Sequence, residues 1–471
     1  MRTIHDPSHF SQIQSRSPHS TSLDTNSIEL LSTPQASYQR FTPTTMSPLR
    51  IAIIGAGPAG CTLAVLLQKH PDLEVTIFEA EAGPNARSQG GSLDLHDETG
   101  LAALKRAGLF EAFQSKARYD GEAFLLADKH FRKYVRFGGA TKATSRGRPE
   151  IDREALRSML LDNIHEGAIK WGHKLQRVDP DNTLHFQDHT ETGFDLIVGA
   201  DGTWSKIRPL LSTVKPSYSG IGAIRLTIDK PEQDFPEIYK VVNHGSFFTF
   251  SDAKFFAAQQ QGDGSIQLGC MSALPENWIN DADFDVHDPA AVKDHLHKQF
   301  SDWASIYHDM IDAISDGEPW VRNLYHLPVG HRWPNKGNVT LIGDAAHVFT
   351  PFAGEGVNLA MADAMHLADA IIKTSKYNSK ATMAHNIKTF EEDMFVRAKR
   401  FSELTFKLMS YKFMTDGDPY YVIEDYIITA VSDGTPWWLM PLVRFAVNGY
   451  FWYWRRFGGG AAPVPVSVKL D

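Results

Sequence analysis

Apolar residues come in short dense runs separated by glycine-rich turns. Ile51-Ala-Ile-Ile54 is apolar throughout and stops at Gly55, which predicts a strand buried on both faces. Residues 59 to 69 then carry Leu63, Leu66 and Leu67 at helical spacing, and Val75-Thr-Ile-Phe78 predicts a second strand. Further helices are expected over 98–108 and 152–165, the latter with Asp152 as its N-cap, and strands within 122–137. Asp195-Leu-Ile-Val-Gly-Ala200 is another buried strand, ending at Asp201-Gly202.

From about residue 217 the period changes. Alternating, aromatic-rich strands are expected at 245–250 and 265–270, followed by a helix over 290–303. A buried strand returns at Asn338-Val-Thr-Leu-Ile342 and leads through Gly343-Asp344 into a helix from about 357 to 374. The expected architecture is α/β, with a Rossmann-like domain assembled from 50–108, 146–216 and 323–375. A β-sheet domain formed by 109–145 and 217–322 is inserted between its pieces. C-terminal helices follow. Residues 386 to 411 place Ile387, Phe390, Met394, Phe395, Ala398, Phe401, Phe406 and Met409 so that much of one helical face is apolar, and a helix within 383–415 is expected to bridge the two domains.

Composition narrows the class. With 42% hydrophobic and 22% charged residues over 471 positions, the chain has room for two or three globular domains. A net charge of −9 offers no general attraction for nucleic acid. Cys61 and Cys270 stand far apart without a CxxC pair, and the 20 histidines include no HExxH. No metal site is expected, and a reducing, cytoplasmic setting suits the chain. Residues 1–49 read as a disordered leader, rich in Ser, Thr, Pro, Gln and His up to residue 45 and without a secretory signal's apolar core. Translation from Met46 would cost the fold little.

The first turn is Gly55-Ala-Gly57-Pro-Ala-Gly60. In a GxGxxG between strand and helix, the first glycine makes the turn, the second admits a diphosphate to the backbone, and the third allows close helix packing. The diphosphate rests on the helix N-terminus. Glu79, closing the second strand, is placed to accept bonds from ribose hydroxyls. These residues do not by themselves choose between FAD and NAD.

Two later segments carry a family resemblance. Asp195 to Arg208 resembles the Asp-Gly motif of the flavin-dependent aromatic hydroxylases, single-component monooxygenases built like para-hydroxybenzoate hydroxylase. Gly343-Asp344-Ala-Ala-His347-Val-Phe-Thr-Pro351-Phe-Ala-Gly354-Glu-Gly356-Val-Asn358 resembles their second FAD motif. The resemblance implies that Asp344 contacts the ribityl and diphosphate region, and that the turn through Pro351, Gly354, Gly356 and Asn358 passes beside the isoalloxazine. A glycine-rich turn opening a helix can direct N–H groups at N1 and O2, where negative charge gathers on reduction. Asp201 falls where the family binds FAD and pyridine nucleotide, or else it merely holds a strand-end turn. Arg208 either pairs with phosphate or lies on a surface. Arg87 and Arg153 stand in segments that resemble flavin-contacting ones, Arg87 in the tetracycline-inactivating branch, with an ordinary salt bridge as the alternative.

The implied reaction uses NADPH, or NADH, to reduce FAD, after which O₂ forms a C4a-hydroperoxide that hydroxylates an organic molecule. No side chain is expected to act as a covalent catalyst. Substrate contacts are expected from Arg225, Phe247, Phe352 and Met394, with Phe248 and Phe250 beside Phe247 as pocket wall or sheet core. Arg225 matches a substrate-binding polar position of the tetracycline-inactivating branch, but that branch's substrate-binding arginine falls at Phe247 here. The departure favours a phenolic or polycyclic aromatic, polyketide-like substrate over tetracycline. An FAD oxidase or dehydrogenase, or a non-catalytic flavoprotein module, stands as the alternative. Residues 416–471 form an aromatic-rich extension, with Trp437-Trp438 and Phe451-Trp-Tyr-Trp454 before Arg455-Arg456. It reads either as a helical cap or as a peripheral membrane-surface element.

Overall fold

The computed structural model describes residues 47–86, 90–376 and 379–458, so the leader and Arg87 lie outside the described residues. Leu49–Ile54 is the central strand of a five-stranded parallel sheet, ordered Val339–Leu341, Leu196–Gly199, Leu49–Ile54, Leu73–Phe78, Ile169–Lys170. Ile51 pairs with both Leu196 and Val75, and residues 51–54 are all buried, as a strand covered on both faces requires. The helices Pro58–Leu67 and Gly356–Ser375 pack on this sheet and on each other. The chain thus has an α/β Rossmann-like FAD-binding fold with an inserted β-sheet domain and a C-terminal helical region.

The inserted sheet has seven strands in the order Trp320–His326, Ser217–Ile228, Ile266–Ala273, Lys254–Gln260, Ser246–Ser251, Phe124–Ala127, Lys133–Phe137. Strand alternation divides its side chains between two cores. Ile224, Leu226, Phe247, Phe256, Leu268 and Cys270 face the helices Pro236–Val242, Pro289–Gln299 and Ser305–Asp312. Ile221, Ala223, Phe250, Phe255 and Leu324 face the opposite way, toward Phe352 and the C-terminal helices.

Helix Lys380–Phe413 spans both regions. Its first half, through Met383, Ile387, Phe390 and Phe395, belongs to the core of the FAD-binding fold, and its last turns, through Leu408, Met409 and Phe413, belong to the second core. Glu391 anchors it, accepting bonds from Trp333 Nε1 (2.9 Å), Asn335 Nδ2 (2.8 Å) and Thr340 Oγ1 (2.9 Å).

Helices Ile423–Ser432 and Met440–Tyr453 fold back on the inserted sheet. Phe451 is buried, Tyr450 Oη donates to Tyr134 O (3.1 Å), and Arg455 Nη2 pairs with Glu424 Oε2 (2.7 Å). The other side of the extension is open, with Trp437 84%, Phe445 77% and Trp452 67% exposed. The cap and the exposed aromatic surface are therefore two sides of one element. Among the described residues no helix is long and apolar enough to cross a membrane.

Candidate functional site

The three glycines of the first turn meet different surroundings. Gly55 has φ +107, and a Cβ there would lie 2.4 Å from Ala200 O. At Gly60 it would lie 2.1 Å from Gly55 O, so helix and strand touch at that point. Gly57 has φ −79 and ψ 179, a conformation open to any residue, and a Cβ there would meet no protein atom within 4 Å. No feature of the described protein demands glycine at that position. The open face lies at the start of helix Pro58–Leu67, whose Ala59 and Gly60 N–H groups have no acceptor within the helix. A diphosphate fits this cradle. Glu79 Oε2 accepts from Ala56 N (2.6 Å) and Oε1 from Glu81 N (2.9 Å), fixing the carboxylate beside the turn with lone pairs to spare.

Two loops after the neighbouring strands close the site. Asp201 Oδ2 accepts from Lys206 N (2.7 Å), while Oδ1 is buried with no hydrogen-bond partner among the described residues. Burial raises the Asp201 carboxyl, against the lowering effect of its bonds from Ser205 and Lys206. Arg208 adopts neither position expected for it. Its buried guanidinium donates to Ala345 O (2.8 Å), Thr203 O (2.9 Å) and Asp344 O (3.1 Å), latching one loop onto the other. Asp363 Oδ2 accepts from Gly343 N (3.2 Å) and lies 2.5 Å from His347 Nε2, which fixes the turn that carries Asp344. The Asp344 residue itself is exposed.

Helix Gly356–Ser375 begins where the flavin turn ends. Pro351–Ala353 forms one turn of 3₁₀ helix, and Gly354 follows at φ +73. Asn358 is fully buried. Its Oδ1 accepts from His96 N (2.9 Å) and its Nδ2 donates to Asp94 O (2.9 Å), so the carboxamide serves as a strut between two loops. His96 Nε2 lies 3.0 Å from Asp94 and Nδ1 lies 3.1 Å from Glu355. Burial disfavours the charged ring, but these two carboxylates outweigh it and raise His96 to about 9. A fixed imidazolium thus sits against Glu355, at the N-cap of this helix.

On the inserted sheet, alternation turns Arg225 to the same face as Ile221 and Ala223. Arg225 Nη1 donates to Gly90 O (3.2 Å), and the guanidiniums of Arg225 and Arg322 lie 4.2 and 4.4 Å from the Trp320 ring centre. Burial first, and then neighbouring guanidiniums, lower Arg225 and Arg322 to about 10. Arg153, on the surface, is one of those neighbours. Three mutually repelling arginines brought together suit an anionic ligand.

The expected substrate contacts divide. Phe352 is partly buried and packs on Phe255 (6.0 Å between ring centroids) and Phe413 (5.2 Å), joining the flavin turn to the sheet. Phe247 is fully buried on the opposite face, against Phe131 and Tyr307. The two-residue strand period separates it from Phe248 and Phe250, so the three form no single pocket wall, and Phe247 and Phe250 instead enter two different sheet cores. Met394 is likewise fully buried in the core around the parallel sheet, beside Phe390 and Phe395, and lines no groove. Arg322, His96 and Lys412 were not anticipated. Lys412 had a readable signal, because it continues the buried stripe Phe401, Thr405, Leu408, Met409 as a lone charge.

The sequence profile of the "FAD binding domain" family matches residues 49–393. The monooxygenase penA of Penicillium thymicola is 30% identical over 425 residues, covering 78% of this chain and 96% of that protein. The monooxygenase asqM of Emericella nidulans is 29% identical over 436 residues, with the same coverage. Among solved structures, FqzB superposes with a TM-score of 0.67 at 20% identity, covering 89% of this chain and 99% of that one, a likeness of fold.

Proposed function

The chain belongs to the FAD-binding-domain family of FAD-dependent monooxygenases, and from that premise we propose that it uses NADPH, or NADH, and O₂ to hydroxylate a phenolic or polycyclic aromatic molecule. When bound, FAD takes a hydride from the nicotinamide and supplies activated oxygen. Every remaining task falls to the protein. Ala59 and Gly60 N–H groups would hold the diphosphate, Glu79 the adenosine ribose, and Asp344 the ribitol hydroxyls. Asp201 and Arg153 complete the cofactor site. The N–H groups opening helix Gly356–Ser375 would stabilise negative charge growing on the flavin, and the strut at Asn358 keeps that terminus in place.

The observation that carries this reading is the aromatic junction of Phe352 with Phe255 and Phe413. It sets an apolar, water-excluding wall directly beside the flavin turn. Arg225 and Arg322 line the polar end of the same sheet face, where a substrate oxygen or the nicotinamide cofactor's phosphates would be held. Both asqM and penA are named as monooxygenases, which favours oxygen transfer over simple dehydrogenation. We propose a cytoplasmic setting, with the C-terminal extension acting as a helical cap on the inserted sheet whose outward rings are available for contact with a membrane surface. The test is a screen of phenolic and polycyclic compounds for stimulated NADPH oxidation by the purified flavoprotein. A product heavier by one oxygen atom supports the reading. A desaturated product with hydrogen peroxide released in equal amount would replace it with an oxidase.

A further inference from the structure

Lys412, in the last turn of helix Lys380–Phe413, is 2% exposed. Its Nζ lies 5.2 Å from the ring centre of Phe255, 5.2 Å from that of Phe352 and 4.9 Å from that of Tyr426. These rings come from the inserted sheet, the flavin turn and the helix Ile423–Ser432. Among the described residues no carboxylate pairs with this amine and no acceptor hydrogen-bonds to it. Ring faces attract a cation but accept none of its three N–H bonds in the ordinary way, so the cage leaves a buried ammonium underserved. Burial accordingly pushes its pKa down to about 7. Tyr426, the titratable group against it, is itself pushed upward by burial. A methionine or leucine would fill this space at less cost, so stability does not explain a lysine here.

We propose that Lys412 is the anion-recognising residue of the substrate site, receiving the phenolate, enolate or carboxylate oxygen of an acidic aromatic substrate whose ring lies against Phe255 and Phe352. The inference rests on the reading of the sheet face beside Phe352 as the oxygenation site. Phe352 is part of both the flavin turn and the Lys412 cage, so a ligand touching the amine is held beside the cofactor. An arriving oxyanion supplies the missing acceptor and restores the ammonium's charge. The site would then select acidic aromatics over neutral ones of the same shape. Negative charge on the ring oxygen would also enrich the ring toward electrophilic oxygen.

The test uses the FAD-loaded enzyme without reductant and two matched pairs, 2-naphthoate with 2-naphthamide and benzoate with benzamide. Binding is read by calorimetry and by perturbation of the flavin absorbance. The wild type should prefer each anion over its amide by about ten- to a hundredfold, the value of a hydrogen bond to a charged group. Lys412→Met should abolish that preference with amide affinity and FAD content retained, and Lys412→Arg should keep part of it. Because Met removes a buried amine, that variant should also melt at or above the wild-type temperature. No anion preference in the wild type, an undiminished preference in Lys412→Met, or a much lower melting temperature for that variant would each overturn the proposal. A Lys412-dependent preference in an enzyme that oxygenates nothing would sink the oxygenase reading alone. An oxygenase lacking that preference would sink this one alone.

Discussion

Exchanging single glycines of the first turn for alanine separates what the protein needs from what the cofactor needs. At Gly57 the backbone is in an ordinary extended conformation and the added methyl meets no protein atom within 4 Å. The apoprotein of Gly57→Ala should therefore be unharmed, or stabilised by about 0.4–1 kcal/mol through a less free unfolded chain. The same methyl stands where the diphosphate must approach. Overpacking costs about 1–3 kcal/mol, so the FAD dissociation constant should rise roughly 5- to 150-fold. At Gly60 the new Cβ lies 2.1 Å from Gly55 O, a backbone atom that cannot yield without moving the strand. Gly60→Ala should destabilise the apoprotein itself by about 3 kcal/mol or more. Denaturant unfolding of both apoproteins, with FAD titration followed by flavin fluorescence, reads both quantities. The reasoning fails if Gly57→Ala unfolds more easily without FAD, or if it binds FAD as tightly as the wild type.

Folded His96 is raised to about 9 from an ordinary 6.5, so its stabilisation is complete below pH 6.5 and is lost as pH climbs through 9. The unfolding midpoint should drop across that window, and His96→Gln should flatten the drop; an unchanged slope in the variant would contradict the assignment. Glu391→Ala strands two buried donors and a half-buried one and should cost about 3 kcal/mol or more, whereas Glu391→Gln, which keeps an acceptor, should recover much of it in the same unfolding assay. Replacing Trp437, Trp438 and Phe445 together by serine should abolish sedimentation with anionic liposomes while turnover in solution is retained. A wild-type enzyme that stays in the supernatant would remove the membrane-surface reading.

The parallel sheet was legible because a strand buried on both faces is apolar at every position, as Ile51–Ile54 is. The glycine turn was legible because Gly55 and Gly60 each answer a local demand, a positive φ at the one and close helix packing at the other. The inserted sheet showed its strands but not which face each residue takes. One error of phase there put Phe247 with Phe248 and Phe250, when the pleat sends it to the other core. Met394 misled because helical periodicity finds the buried face of a long helix without saying which of two cores a given turn enters. Arg208 was hard to read because its partners are main-chain carbonyls from a loop about 140 residues away, and carbonyls leave no mark in a sequence. The arginine cluster and the Lys412 cage are likewise products of tertiary convergence, each drawing on elements far apart in the chain.

Oxygen transfer itself is tested most directly by turnover under ¹⁸O₂ in ordinary water, with NADPH and the compound that best stimulates its oxidation. The account predicts a hydroxylated product carrying a single ¹⁸O atom, with one NADPH consumed for each product formed. A product whose added oxygen comes from water, or NADPH consumed with all the ¹⁸O recovered as hydrogen peroxide, would contradict it.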